Sequence, residues 1–346
     1  MSTAGIGRKN WKAILHSGNC AISAVASRDV KKSRAFIRDC QRTSPFAAVP
    51  AAFGSYDELL ASPAVDAVYI PLPTGVRKEW VLRAAVAGKH VICEKPCATS
   101  AADLEEMLAA CGKNSVQFMD GVMFMHNPRS ARVREILDDG KSVGEVRRIS
   151  SAFSFYSGRD FFRDNIRVNA ELEPAGCLGD LGWYCIRFAL WAMNWRLPRE
   201  VTGRILSQPA GKSPTEYSGE LIFAGNVSAG LYCSFLAGFN QWVSVSGQKG
   251  WLRLPDFVHP FNSYEPAFEV NRKDILVAAA GAKCPPGADP MTMGHATAQD
   301  TRMFRNFANQ IISGKLNRDW PMWALKTQIV LDACRKSARR GTPVRL

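Results

Sequence analysis

Residues 67–96, AVYIPLPTGVRKEWVLRAAVAGKHVICEKP, contain the pattern that decides the fold of this chain. Residues 67–70 form a short apolar run that ends at a proline, which is typical of a buried strand. Residues 76–87 are rich in helix-forming side chains and stop before Gly88, and residues 90–94 are again a short apolar run. Strand, helix and strand with short turns between them predict two parallel strands joined by a crossover helix.

The same alternation continues on both sides of that stretch, from about residue 5 to about residue 119. The further helices of this region are expected near residues 5–16, 30–41, 53–60 and 100–111. The further strands are expected near residues 20–26 and 116–119. Residues 1–122 are therefore predicted to form an α/β domain with a Rossmann-like parallel sheet.

After about residue 123 the pattern changes, and longer strand-like runs dominate. These runs lie near residues 144–156, 218–224, 227–236, 241–247 and 250–254. Glycine-containing turns such as Gly225-Asn226 and Lys249-Gly250 suit antiparallel hairpins. Helices are expected near residues 128–139, 297–313 and 322–338. Residues 123–346 are thus predicted to form a second, α+β domain built on an open, mostly antiparallel sheet.

Length and composition agree with a two-domain globular chain. The sequence has 346 residues, 47% of them hydrophobic and 22% charged. It contains no repeat and no apolar run long enough to cross a bilayer, so no membrane partner is expected. The formal net charge of +13 is explained by a basic surface or by a site for an anionic ligand. Nucleic acid ranks last as a partner, because the basic residues are dispersed and no recognition module is present.

The cysteines and histidines bear on location and on metal binding. Ten cysteines are scattered without a C-x-x-C pair, and several lie within apolar runs. Such thiols are expected to be reduced, and with no apolar leader in residues 1–10 they favour the cytoplasm. The alternative is an upstream transit peptide, if the natural polypeptide begins before Met1. The five histidines show no ligand spacing, so we expect no metal site.

A candidate phosphate-binding turn lies at residues 2–7, directly before the first expected helix. A dinucleotide fingerprint places small residues between a strand and a helix whose N-terminus receives the pyrophosphate. Ser2, Ala4 and Gly7 occupy its three glycine positions, with Gly5 and Ile6 between them. The simpler alternative is an ordinary helix start.

No strand precedes this turn in the sequence, although the first strand of a doubly wound sheet is a central one. The sheet is therefore expected to lack that strand. We hypothesise that the natural polypeptide begins upstream and that Met1 is an internal methionine. A genuine truncation with weakened cofactor binding is the alternative, and the intact mass of the native protein distinguishes the two.

Ser27 and Arg28 follow the second strand, about 20 residues after the turn. An acidic residue at this point binds the ribose 2′-hydroxyl of NAD, whereas arginine accommodates the 2′-phosphate of NADP. Arg28 can pair with phosphate and Ser27 can donate a hydrogen bond, so NADP is the favoured cofactor. NAD remains the alternative, with Asp29 one step further on and Arg28 as a solvent-facing arginine.

Three motifs resemble the glucose–fructose oxidoreductase / inositol dehydrogenase / rhizopine catabolism (Gfo/Idh/MocA) family. The first is AGKHVICEKP at residues 87–96, and the second is GCLGDLGWY at residues 176–184. The third combines residues 119–121 and 126–129, MDG and HNPR, which are similar to uncharacterised plant members. The tyrosine at the end of the second motif is similar to that of dimeric dihydrodiol dehydrogenases. The resemblance implies a Rossmann domain with an open-sheet domain, NAD(P) use, and sugar, polyol or dihydrodiol chemistry.

Lys95, Asp180 and Tyr184 are the candidate catalytic residues. Oxidation of an alcohol by hydride transfer needs a base for the hydroxyl proton, and the ordinary pKa of tyrosine, about 10, is too high for that. A neighbouring ammonium lowers it, and Lys95, held at a strand end by Pro96, is the expected neighbour of Tyr184. Asp180 lies four positions before Tyr184 and would share its helix face, so that it orients Lys95 or a substrate hydroxyl. The structural alternatives are a helix-capping lysine, a core tyrosine and an N-cap aspartate.

The resemblance implies further contacts. Pro71, Leu72, Pro73 and Thr74 are expected to offer backbone contacts to the nicotinamide half of the cofactor, and Glu94 to face the nicotinamide ribose. Where family members commonly have a histidine, three residues after Thr74, this chain has Arg77.

Two arginines, Arg129 and Arg167, are candidates for holding a polyhydroxylated or anionic substrate, with a surface role as the alternative. His126 is expected to be structural.

The sequence therefore predicts an NADP-dependent oxidoreductase that acts on a sugar, polyol or dihydrodiol. A non-catalytic NADP-binding sensor is the alternative, and consumption of NADPH over a substrate panel separates the two. By analogy with the family, a homodimer formed through the open sheet face is expected.

Overall fold

The computed structural model describes residues 1–277 and 283–346, which form two compact units. The first unit contains Met1–Cys97, Ala102–Asn127 and Cys284–Met322, and the second contains Ala98–Ala101, Pro128–Lys283 and Trp323–Leu346. In this division the chain passes from the first unit to the second between Asn127 and Pro128. The division differs from a single cut because residues 284–322 pack with the first unit.

The described residues contain ten α-helices. They are α1 (Gly5–Ser17), α2 (Val30–Thr43), α3 (Tyr56–Ala61), α4 (Thr74–Val86), α5 (Ala101–Lys113), α6 (Pro128–Asp138), α7 (Arg159–Asp164), α8 (Trp183–Ala192), α9 (Gln299–Ile312) and α10 (Asp319–Arg340). Short 3₁₀ turns lie at Met123–His126, Ile166–Val168 and Ala224–Asn226, and one π-helical turn lies at Leu178–Gly182. None of the helices in the described ranges is both long enough and apolar enough to span a membrane.

The strands of the first unit are β1 (Ala24–Ala26), β2 (Ala51–Phe53), β3 (Ala67–Ile70), β4 (His90–Cys93) and β5 (Phe118–Asp120). Those of the second unit are β6 (Val146–Ser154), β7 (Glu200–Ser207), β8 (Glu216–Ile222), β9 (Ser228–Ser234), β10 (Asn240–Gly247), β11 (Trp251–Leu254), β12 (Ala267–Val270), β13 (Lys273–Leu276) and β14 (Val344–Arg345).

The strands of the first unit pair in parallel, as the alternating pattern predicted. β1 pairs with β2, while β3, β4 and β5 form a separate three-stranded sheet. Within the described residues no strand joins β1 to β3, the position at which a doubly wound sheet has its first strand. The Rossmann-like sheet is thus present as two parallel pieces, with α1 following the candidate phosphate turn.

Local capping and one apolar cluster explain how the helices of this unit form around β1. The Asp29 side chain accepts a hydrogen bond from the backbone N–H of Lys31 at 2.8 Å and caps α2. The apolar face of α2, with Phe36, packs against Trp11 of α1 and Val25 of β1. Burial of these side chains fixes the start of α1 relative to the end of β1.

The second unit contains a nine-stranded sheet in the order β13-β12-β11-β10-β6-β9-β8-β7-β14. All neighbours are antiparallel except β6 and β9, so the prediction of a mostly antiparallel sheet is confirmed. The predicted hairpin between β8 and β9 turns at Gly225 and Asn226, which have φ of 75° and 57°. Alternate side chains such as Ile149, Leu231 and Val243 are buried, and α8 packs on β6 and β9.

Candidate active site

The turn before α1 contains the small residues that were predicted to bind the pyrophosphate. Ala4 is the N-cap residue of α1, and no side chain hydrogen-bonds to cap the helix start there. The Ser2 hydroxyl instead accepts a hydrogen bond from the N–H of Ala4 at 3.0 Å within the turn. A Cβ on Gly7 would lie 3.3 Å from a ring carbon of Phe36, so a small residue is needed for close packing on α2. The uncapped start of α1 fits the pyrophosphate of a dinucleotide.

Ser27, Arg28 and Asp29, which follow β1, are the residues on which the choice between NADP and NAD was predicted to depend. Ser27 is buried and its N–H reaches the carbonyl of Phe53, whereas Arg28 is exposed. Asp29, the acidic residue that would favour NAD, already accepts from Lys31 as the cap of α2. Its carboxylate is therefore engaged with its own helix, and Arg28 is the group that projects beside it.

The segments that follow β3 and β4 lie next to each other in the first unit. Pro71, Leu72 and Thr74 are buried, and α4 begins at Thr74. The Thr74 hydroxyl donates to the carbonyl of Pro96 at 3.4 Å, so the expected nicotinamide-facing segment touches the segment that contains Lys95.

Glu94 is held by a chain of hydrogen bonds that sequence reasoning missed. The Tyr69 hydroxyl donates to Glu94 Oε1 at 2.5 Å and accepts from Asn10 Nδ2 of α1 at 2.7 Å. Burial, together with the neighbouring Glu94 charge, raises the pKa of Tyr69 well above its usual value, so this tyrosine stays protonated. A Cβ on Gly121 would lie 3.2 Å from the Glu94 carboxylate, which packs against that glycine. The network fixes Glu94 relative to α1.

Lys95 follows Glu94 in a half-buried loop, where it makes polar interactions of its own. All of the predicted cofactor-binding segments belong to the first unit. They are the candidate phosphate turn, Ser27 and Arg28, residues 71–74, Glu94 and Lys95.

In the second unit the structure brings Asp180, Tyr184 and Arg167 together. Arg167 Nε lies 2.8 Å from Asp180 Oδ2, and the Asp180 charge raises the pKa of Arg167, with a smaller contribution from Tyr184. Arg167 lies in a 3₁₀ turn, and its backbone N–H donates to the capping Asn165 side chain. About half of the Arg167 side chain is exposed, so it is available to a ligand beside Asp180.

Tyr184 lies in the first turn of α8, directly after the π-helical turn that contains Asp180. Such π-helical turns are rare in proteins, and those that occur are often found at functional sites. The chain packs closely at Gly182, where a Cβ would lie 2.7 Å from Leu178 Cδ1 and 3.3 Å from Cys233 Sγ, so these side chains would have to move. The Tyr184 ring is largely buried and packs edge-on against Phe153, with ring centroids 5.7 Å apart. The phenol is thus fixed in one orientation.

Arg129 is placed differently from its predicted role in substrate binding. Its side chain is 2% exposed and forms a buried ion pair with Asp256. It also donates to the carbonyls of Ala267 at 2.9 Å and Asp256 at 2.8 Å. These contacts assign Arg129 a structural role within the second unit, because its guanidinium joins α6 to β12 and to the segment after β11.

Sequence reasoning also missed the roles of Tyr69 and Phe153, and it noted Arg77 only as the residue at the position of the family's common histidine. Tyr69 and Phe153 each lie on a predicted strand, but Tyr69 bonds Asn10 of α1 and Phe153 packs against Tyr184 of α8, which are far from them in the sequence. His126, expected to be structural, packs edge-on against Trp320 and bonds the side chain of Asn306, in agreement with that expectation.

Comparison with known proteins identifies the two halves of the chain. Residues 3–122 match a family described as an oxidoreductase family with an NAD-binding Rossmann fold. Residues 130–253 match the C-terminal domain of the same Gfo/Idh/MocA group.

Several relatives align over most of their length. A D-xylose 1-dehydrogenase (NADP(+)) of Haloferax volcanii is 28% identical over 100% of this chain and 98% of its own. A dTDP-3,4-didehydro-2,6-dideoxy-α-D-glucose 3-reductase of Streptomyces violaceoruber is 31% identical over 77% and 74%. A trans-1,2-dihydrobenzene-1,2-diol dehydrogenase of Xenopus laevis is 30% identical over 68% of each chain.

Solved structures share the fold. A 3-ketoreductase from Actinomadura kijaniata, solved with NADP and TDP-benzene, has a TM-score of 0.83 at 24% identity, over 97% of this chain and 95% of its own. An aldose–aldose oxidoreductase from Caulobacter crescentus has a TM-score of 0.79 at 22% identity, over 96% and 95%.

Proposed function

The chain belongs to the Gfo/Idh/MocA family of oxidoreductases, and from that premise we propose that it uses NADP(H) to oxidise or reduce a small hydroxylated molecule. The observation that carries the proposal is the position of Tyr184 in the first turn of α8, beside the Asp180–Arg167 pair. A fixed phenol next to an ion pair that can hold a polar ligand suits proton transfer to an alcohol or carbonyl oxygen.

The nicotinamide, when bound, donates or accepts the hydride. Tyr184 then gives its proton to the carbonyl oxygen in reduction, or takes the hydroxyl proton in oxidation. Lys95 is proposed to lower the pKa of Tyr184 through its ammonium charge and to hydrogen-bond the reacting oxygen. Asp180, with Arg167, orients a substrate hydroxyl, and Arg167 provides the charge that a polyhydroxylated or anionic substrate needs.

For the cofactor we propose NADP rather than NAD. The uncapped start of α1, Ser27 after β1 and the exposed Arg28 support it, and Asp29 is engaged as the cap of α2. Glu94, fixed through Tyr69, is proposed to bind the nicotinamide ribose, and residues 71–74 the nicotinamide half. The relatives named for NADP are consistent with this choice.

An Arg28→Ala variant should bind NADPH about 10- to 100-fold more weakly, because a charge-assisted hydrogen bond to phosphate contributes about 1.5–3 kcal/mol. Affinity for NADH should stay nearly unchanged, since NADH lacks the 2′-phosphate. Titration of nucleotide fluorescence measures both constants. Arg34→Ala, an exposed arginine on α2, serves as the matched control. An equal loss for the two nucleotides would contradict the assignment of Arg28.

For the substrate we propose a sugar, polyol or dihydrodiol, in line with the activities named for the relatives. NADPH consumption measured over sugars, ketosugars and diketones, and NADP⁺ reduction over pentoses and dihydrodiols, tests this. We expect turnover with at least one class. Tight NADPH binding with no turnover on any of them would refute the proposal and favour a sensor.

We also propose a homodimer and a cytoplasmic location. The sheet face that carries Arg148, Glu220 and Trp242 is half-exposed and is the proposed dimer surface. All ten cysteines are free thiols, which supports a reducing compartment. Light scattering of the purified protein tests the dimer.

A further inference from the structure

Arg77 is a buried arginine on α4, and the chain has it where the family commonly has a histidine. Its side chain lies inside the first unit, and the residue is 3% exposed. A buried guanidinium is costly unless its N–H groups are satisfied, so its partners indicate why it is there.

Within the described residues, the Arg77 side chain donates its hydrogen bonds to backbone carbonyls of two loops. Arg77 Nε donates to the carbonyl of Leu72 at 3.0 Å, and Nη2 donates to the same oxygen. Arg77 Nη1 donates to the carbonyl of Glu94 at 2.7 Å and also to that of Pro96. One planar group therefore bonds the residue before Lys95, the residue after it, and the segment that follows β3.

No other side chain type makes this set of bonds from the same position. Arginine presents five N–H donors in a rigid fork, whereas lysine has a single ammonium that cannot span three carbonyls on two loops. A neutral histidine donates only one N–H, and its ring is shorter. The Thr74 hydroxyl adds a 3.4 Å hydrogen bond to the Pro96 carbonyl, so a second side chain of α4 joins the same two loops.

We propose that Arg77 is a positioning residue for Lys95. Arg77 bonds the carbonyls of Glu94 and Pro96 as well as the carbonyl of Leu72. It thereby fixes the backbone of Lys95, and so the base of its side chain, relative to residues 71–74. The inference rests on the proposed function, in which Lys95 acts on the reacting oxygen. A displacement of about 1 Å at such a group costs on the order of 100-fold in rate.

The test uses Arg77→Lys, which keeps the charge, and Arg77→His, which restores the residue common in the family. Both variants should lose roughly 10- to 100-fold in kcat through misplaced Lys95. The Kd for NADPH should weaken by a smaller factor, because of the proposed cofactor contacts only those of residues 71–74 and Glu94 lie in the loosened loops. Arg83→Lys is the matched control, because Arg83 lies on the same helix but is exposed and pairs with Asp57. It should retain the kcat of the unchanged protein.

Peptide-level hydrogen exchange gives a readout that does not depend on turnover. In both Arg77 variants, exchange should rise in residues 71–75 and 93–98 and stay unchanged in α1 and α5. Wild-type kcat in both variants, or faster exchange spread over the whole first unit, overturns the proposal. If the unchanged protein turns over no substrate but the exchange rises locally, the proposed function fails while the positioning of the Lys95 loop by Arg77 stands.

Discussion

Tyr184→Phe should reduce kcat by about 10²- to 10⁴-fold, the usual contribution of a positioned general acid or base. The phenylalanine keeps the ring, so the edge-on contact with Phe153 and the packing of α8 should survive. Only the hydroxyl that exchanges a proton with the substrate is removed. The Kd for NADPH should therefore stay within about 2-fold of its original value, because no uniform binding interaction with the cofactor is lost. Steady-state turnover with the best substrate of the panel, together with fluorescence titration of NADPH, measures both quantities.

Tyr232→Phe is the matched control for that experiment. Tyr232 lies on β9 in the same unit, and its hydroxyl donates a hydrogen bond to Glu216. The proposed mechanism gives Tyr232 no role. Its variant should keep kcat. Unchanged turnover in Tyr184→Phe would show that Tyr184 is not the general acid or base, and the proposed mechanism would then be wrong even though the chain belongs to the family.

The alternating strands and helices of the first unit could be predicted because each apolar run there is short, buried and bounded by proline or glycine. β3 and β4 begin where the runs at residues 67 and 90 begin. β2 was missed, since Ala51–Phe53 is only three residues long and two of them are alanine. β7 was missed as well, because Glu200–Ser207 contains a glycine and an arginine, and its pairing with β8 is what makes it a strand.

The candidate site was predictable only as far as local motifs reach. The sequence motifs located Glu94, Lys95, Asp180 and Tyr184, and the structure shows Asp180 and Tyr184 with Arg167 in one unit. The motifs carried no information on Tyr69, because its bonds to Glu94 and Asn10 join residues that are 25 and 59 positions apart. Arg77 donates to backbone carbonyls, which every residue has. The identity of its partners therefore could not be predicted from the side chains in the sequence.

Arg129 shows the same limit in the opposite direction. A charged residue close to the family-like motif at residues 126–129 was interpreted as a substrate contact. Its partner Asp256 lies 127 positions further along the chain, where no local pattern links the two. Both side chains are buried, and since a charge taken out of water needs a partner of opposite sign, their pairing supports a structural role for Arg129.

Asp256→Asn should therefore destabilise the second unit strongly, by about 3–5 kcal/mol, the usual cost of leaving a buried charge without its partner. Burial already lowers the pKa of Arg129, and the Asp256 charge is what opposes that shift. The same carboxylate accepts the N–H of Phe261 at 2.6 Å, so its loss also weakens the turn after β11. Urea unfolding followed by tryptophan fluorescence measures the change.

The control pair lies on the same helix as Arg129. Arg132 and Glu135 form an ion pair on the exposed side of α6, and Glu135→Gln should change stability by less than about 1 kcal/mol. Removing both buried charges, in Arg129→Met with Asp256→Asn, should cost less than the sum of the two single changes, because neither charge is then left alone. At a temperature where it is folded, this double variant should also keep its KM for substrate. A raised KM with normal stability would support the original prediction that Arg129 binds substrate. A smaller cost for the double variant than for the sum of the single variants would instead show that the Arg129–Asp256 ion pair stabilises the packing of α6 on the sheet.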